Sequence, residues 1–204
     1  MLRGLHFWIM MLGLLAAGCT NFSSGPLPTP LPAYPARDLL LDTSTFPKGW
    51  VAGPCGPDCS RSEGETHALR SFYIPDVPGH VIQEVFRLES VQAAIDMFQK
   101  AREVDFRARV SPNSEFVPPR EITYRSPIAD EYHLGCGIDE VPACKVIMRE
   151  GNYFVSVFFN EDRGEVGGHG LKIAEIEPIL RDLDARVAAR FGIPLPTSLP
   201  EPAQ

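Results

Sequence analysis

The chain has 204 residues, 19 basic against 26 acidic, for a formal charge of -7 at neutral pH. That acidity excludes a surface built to neutralise nucleic-acid phosphates, and equally a polybasic lipid-binding face. The length suits one domain large enough to bury its own core.

Arg3 supplies a positive start and Leu5 to Ala17 an apolar run, ended by the small residues Ala16, Ala17 and Gly18 before Cys19. A membrane span wants about 20 apolar residues, so this run reads as a signal peptide over 1–18. Leu15-Ala16-Ala17-Gly18-Cys19 resembles the bacterial lipoprotein signal family, whose lipobox reads Leu-small-small-Cys. Here Ala16 stands three places before the cysteine and Leu15 one place further back. The resemblance implies that Cys19 becomes the mature N-terminus and carries a diacylglyceryl thioether, and usually an N-acyl chain such as palmitate. The expected location is the extracytoplasmic face of a cell membrane, held by lipid. Two acyl chains hold a protein at a bilayer where one is marginal. Loss of Arg3 leaves 18 basic residues against 26 acidic, a net of -8.

Residues 19–36 are expected to form the lipidated start and a tether, because Pro26, Pro28, Pro30, Pro32 and Pro35 favour an extended spacer at about 3.1 Å per residue. A single domain should follow over 37–193, with a proline-rich tail over 194–204. It opens at Asp38-Leu39-Leu40-Leu41-Asp42, followed by Thr43 to Trp50. This start is similar to that of certain uncharacterised bacterial lipoproteins and of extracellular sensor domains on actinobacterial receptor kinases. The likeness implies a mixed α and β domain with two disulfides, and it transfers no ligand-contact residue.

With Cys19 assigned to lipid, Cys55, Cys59, Cys136 and Cys144 remain, an even set in a disulfide-permissive compartment. The favoured pairs are Cys55 with Cys59 and Cys136 with Cys144, each closing a short loop, and cross-pairing is the alternative. The C-x3-C and C-x7-C spacings depart from zinc knuckles, and the three residues between Cys55 and Cys59 depart from a thioredoxin-type redox motif.

Strands are expected over Ala68 to Ile74 and His80 to Leu88, with Pro78-Gly79 turning between them. Ser90 should cap a helix running to about Arg107, with Val91, Ala94, Ile95, Phe98 and Ala101 on one face. Further strands are expected at Glu121 to Arg125, Ile128 to Cys136, Lys145 to Arg149 and Tyr153 to Phe159, the last two joined by a tight turn at Gly151-Asn152. Tyr153 to Phe159 is apolar on both faces and should be central. Residues 161–170 read as a charged, glycine-rich connection. Ile173, Ile176, Leu180, Leu183, Val187 and Phe191 mark a final helix ending at Gly192-Ile193-Pro194, and Pro178 places its regular start near Glu177. The expected class is α+β, with one antiparallel sheet of about five strands and two amphipathic helices.

For chemistry, Asp130, Glu131 and His133 form the one acidic cluster with a histidine. In a strand Glu131 and His133 share a face while Asp130 does not, so a metal-dependent hydrolase would have to recruit His169 or Asp139. GxSxG, HExxH, phosphate-loop and calcium-loop patterns are absent from the sequence. No catalytic residue, metal or cofactor is assigned. Phe72, Tyr73, Phe116, Tyr124 and Tyr132 are the candidate lining of a groove for a small apolar ligand or an envelope protein, although aromatic residues more often fill cores. A non-catalytic, sensor-like binding lipoprotein is the leading expectation. A membrane-tethered hydrolase and a structural envelope protein are the alternatives.

Overall fold

The computed structural model describes residues 33–53, 62–77, 79–107, 115–139, 141–160 and 170–196. The signal segment, Cys19, most of the tether, the Cys55 and Cys59 loop, His169 and the end of the tail lie outside the described residues.

The described strands form one antiparallel sheet. They are β1 (Val51–Gly53), β2 (Ser62–Glu63), β3 (His67–Tyr73), β4 (His80–Arg87), β5 (Glu131–Asp139), β6 (Val141–Glu150) and β7 (Tyr153–Asn160), with helices α1 (Val91–Asp105) and α2 (Ile173–Phe191). Six strands run in the order β1-β3-β4-β7-β6-β5, and β2 pairs separately with β3. The class is α+β as the patterns predict, with more strands than the expected five. The additional strands, β1 and β2, span only three and two residues, too short for an alternation to show in the sequence.

Side-chain alternation divides the sheet into two covered faces. Val81 and Val85 of β4, Val146 and Met148 of β6, and Tyr153, Val155, Val157 and Phe159 of β7 enter the larger core with α2. Ile147 and Phe154 face the other way and pack with Phe98 of α1. β7 lies between β4 and β6, which accounts for its apolar character on both sides.

The hairpin between β6 and β7 turns at Gly151 and Asn152, with Gly151 at φ +56°. A positive φ at the first central residue followed by an ordinary one suits the turn that matches strand twist. Pro142 falls in β6 opposite Ile138, before the pairing with β7 begins at Ala143, so its missing N–H leaves no gap on that side.

Both helices are capped. Ser90 Oγ accepts from the Ala93 N–H at 3.0 Å, and α2 ends at Gly192 in the left-handed region at φ +67°. α2 begins at Ile173, four residues before the expected start at Glu177. The Lys172 N–H donates to the Glu175 carboxylate at 2.9 Å, the Glu175 N–H donates to the Lys172 carbonyl at 2.8 Å, and buried Leu171 pins the entry. These contacts outweigh the one i to i-4 bond that Pro178 cannot donate.

Three further expectations are corrected. Glu121 to Arg125 joins no ladder; Ile122 and Tyr124 turn inward into the α2 core. β5 starts at Glu131 instead of Ile128, because Ser126 Oγ accepts from the Ala129 N–H at 3.0 Å and holds 126–129 as a turn. Residues 33–36, assigned to the tether by their prolines, pack on the domain. Ala36 is fully buried, Tyr34 meets the Phe191 ring edge-on at 5.6 Å, and Arg87 Nη1 donates to the Ala33 and Tyr34 carbonyls at 2.9 and 3.2 Å.

The segment after Tyr34 is then threaded into the core. Leu39 and Leu41 have no exposed surface, and the buried Gln83 amide of β4 bonds the backbone of both.

Candidate functional site

β5 carries most of the residues with chemical potential, and its position at the end of the strand order leaves one side open to non-strand partners. Cys136 and Cys144 stand directly opposite each other on β5 and β6 and form a disulfide. The Cys136 N–H and carbonyl turn away from β6 to the Val117 backbone at 2.8 and 3.0 Å, leaving the sulfur to make the cross-strand link. Pro118 and Pro119 follow Val117 directly and carry no amide hydrogen.

Gly135 and Gly137 flank Cys136 because the segment before Val117 crosses the sheet there. A Cβ on Gly135 would lie 2.9 Å from the Phe106 ring and 3.0 Å from the Phe116 backbone; one on Gly137 would lie 2.8 Å from the Glu115 carbonyl oxygen. The alternation Gly-Cys-Gly in β5 therefore makes room for a passing backbone.

The acidic cluster at the start of β5 is organised by Arg149. This guanidinium is 7% exposed; its Nε donates to Glu131 at 2.6 Å and its Nη1 to Asp130 at 2.7 Å and to the Gly151 carbonyl at 2.9 Å. Gln99 of α1 donates to the second Glu131 oxygen at 2.9 Å. His133 lies on the same face, its ring edge-on to Phe106 at 4.5 Å. Burial first, then the charges of Arg102 and Arg125, push its pKa down. Glu131 and His133 thus share a face as alternation predicts, with each carboxylate oxygen of Glu131 already engaged. Among the described residues no group of three or more histidine, cysteine, aspartate or glutamate side chains converges as metal ligands would.

A second polar cluster lies on the opposite face. Asp184 of α2 is 2% exposed and accepts from the Tyr124 hydroxyl and from Ser126 Oγ, the latter at 2.9 Å. Burial pushes its carboxyl up, while these two hydrogen bonds hold it down. Arg181 stacks on the Tyr124 ring at 4.5 Å. The Tyr132 hydroxyl is buried with no hydrogen-bond partner, and burial followed by the nearby Asp184 charge raises its pKa.

The candidate groove aromatics do not share a surface. Phe72 is fully buried and stacks on Phe46 at 4.2 Å; Tyr124 is buried with its hydroxyl on Asp184, and Tyr132 packs beside it in the α2 core. Phe116 belongs to the core under α1, and Tyr73 on β3 is half-buried at the Gly53 backbone. Phe72, Tyr124 and Tyr132 thus contribute aromatic area to the core under α2, and Phe116 to the core under α1.

Open space is found elsewhere. A trough of about 460 Å³ runs along α1 past Met97, Ala101 and Val104, with Asp96, Lys100 and Asp105 beside it. A smaller cleft of about 330 Å³ lies where Glu121 and Ile122 meet Pro178 and Arg181 of α2. Neither contains the aromatic set named from the sequence.

Sequence reasoning did not single out Arg149, Asp184 or Gln83. Asp184 lies four residues after Leu180, on the apolar stripe of α2, and Gln83 lies between Val81 and Val85 on the inward side of β4. A polar residue at an apolar period was the available signal for both. Arg149 gave none, because its partners are set by strand register. Compared with known proteins, the chain matches no protein-family model, no curated protein and no solved structure.

Proposed function

We propose that the chain is a lipid-anchored extracytoplasmic protein whose α+β domain binds a small ligand or an envelope partner without catalysing a reaction. The observation that carries this reading is the Cys136–Cys144 disulfide between β5 and β6, the kind of link that persists in an oxidising compartment. It agrees with a signal sequence ending in Leu15-Ala16-Ala17-Gly18-Cys19, where the leftover fifth cysteine takes the lipid.

The binding reading draws support from how the acids around the start of β5 and on α2 are used. Asp130 and Glu131 bond Arg149, and Asp184 bonds Tyr124 and Ser126, so these carboxyls hold structure together. The trough beside α1 offers an open apolar surface along Met97, Ala101 and Val104.

Metabolic labelling with palmitate tests the anchor. Label is expected in the membrane fraction and lost in Cys19→Ala; unlabelled protein with all thiols reduced would reject the reading. Mass spectrometry of the unreduced chain should return the Cys136–Cys144 link.

A further inference from the structure

We propose that Asp130, Glu150 and Asn152, gathered at the turn between β6 and β7, form a binding site for a hard divalent cation of the calcium type. The inference goes beyond the anchor and does not rest on it.

Strand register makes the placement. Glu131 stands opposite Arg149, so one residue earlier Asp130 comes level with Glu150 across the β5–β6 ladder. Hydrogen bonds then fix the Asp130 carboxylate at the turn. The Gly151 N–H donates to Asp130 Oδ2 at 3.0 Å, Arg149 Nη1 donates to the same oxygen at 2.7 Å, and the Asp130 N–H donates to the Arg149 carbonyl at 2.9 Å. Glu150 pairs with Tyr153, which leaves Gly151 and Asn152 as the two turn residues. The Asp130 carboxylate is therefore held at Gly151, with Glu150 directly before that residue and Asn152 directly after it.

Two oxygens at this turn are acceptors without a donor. Glu150 Oε2 and Asn152 Oδ1 are both buried with no hydrogen-bond partner, and Asn152 as a whole is 5% exposed. The Asn152 Nδ2 already donates to the Leu88 carbonyl at 2.7 Å, so the amide is fixed with its oxygen as the unsatisfied end. Buried acceptors left in this way call for an ion or an ordered water. Charge favours the ion. Asp130, Glu131 and Glu150 bring three carboxylates to the β5–β6 end, and Arg149 is the one guanidinium bonded among them. Burial and then the Asp130 charge raise the Glu150 carboxyl, as expected where two acids share a site. An excess of two negative charges matches a divalent cation, and carboxylate and amide oxygens are the donors that calcium takes in irregular geometry. Only two of the three side chains are carboxylates, which sets this site apart from the ionisable triads absent among the described residues.

The test is terbium luminescence of the full chain, excited through tyrosine, with calcium as competitor at constant ionic strength. Tyr153 lies opposite Glu150 in the ladder and serves as the near sensitiser. Saturable luminescence is expected, displaced by calcium at about 10⁻⁴ to 10⁻³ M, the range of extracellular modules. Glu150→Gln keeps the shape of the side chain and should weaken terbium and calcium by about tenfold or more. Glu103→Gln, at an exposed acid on α1, should leave both unchanged. Calcium should also raise the thermal midpoint of the parent by a few degrees and leave that of Glu150→Gln in place. Luminescence that rises linearly with terbium, that sodium displaces as well as calcium does, or that survives Glu150→Gln undiminished would overturn the proposal, while the palmitate result reads the anchor separately.

Discussion

Gln83 and Leu41 are joined in the interior, the Leu41 N–H donating to Gln83 Oε1 at 2.6 Å, while Gln83 Nε2 donates to the Leu39 carbonyl at 2.9 Å. Gln83 has no exposed surface, so one amide satisfies a donor and an acceptor of a segment that lies off the sheet. Gln83→Leu keeps most of the volume and orphans both backbone groups. A loss of about 2 to 4 kcal/mol is expected in urea unfolding. A variant within about 0.5 kcal/mol of the parent would show that the amide does not hold this segment.

The glycines beside Cys136 make a second prediction. Gly137→Ala places a methyl against the Glu115 carbonyl, which is backbone and yields only if the whole segment moves. Gly135→Ala meets the Phe106 ring as well as the Phe116 backbone. Each should destabilise by about 1 to 3 kcal/mol, the usual cost of overpacking. Thermal unfolding checks this, and variants as stable as the parent would mean that the crossing of 115–117 is looser than its contacts indicate.

The disulfide closes a sequence separation of eight residues. Constraint of the unfolded chain by so short a loop contributes about 2 to 3 kcal/mol. The double variant Cys136→Ala, Cys144→Ala should lose that amount in non-reducing unfolding and become insensitive to reductant over this hairpin. Full stability in the variant would show that strand pairing alone fixes β5 to β6.

Stability should also depend on pH through Glu150. Its Oε2 is buried without a hydrogen-bond partner, and burial, followed by the nearby Asp130 charge, pushes the carboxyl from its ordinary 4.5 up to about 7. A carboxyl raised in the fold keeps its proton there after the unfolded chain has released it. The destabilisation therefore grows as pH rises from about 4.5 and is complete above about 7. Glu150→Gln should gain about 1 to 2 kcal/mol at pH 8, after allowance for partial exposure, and almost nothing at pH 4. Parallel pH profiles for the two proteins would contradict this origin.

Much of the fold was legible because periodicity reports burial. The apolar faces of Tyr153 to Phe159 placed β7 in the sheet interior, Ser90 marked the start of α1, and Gly192 marked the end of α2. The start of α2 was less legible, because Pro178 dominates a local reading while the Lys172 and Glu175 contacts hold the turn before it. Glu121 to Arg125 misled in a different way. Its alternation does bury Ile122 and Tyr124, yet alternation reports which side chains turn inward and says nothing of whether the backbone finds a neighbour. The placement of the aromatic residues was hidden for a related reason. Phe72 and Phe116 are far apart in the chain, and only topology reveals that they enter different cores.

The prolines at 118 and 119 bear on how copies of this chain tolerate crowding. A second molecule trying to extend the sheet past β5 would encounter Val117 already bonded to Cys136, and next to it two rings without an amide hydrogen. Continuous strand exchange has no template along that stretch, so high local concentration should favour dispersed molecules over fibrils growing from this margin.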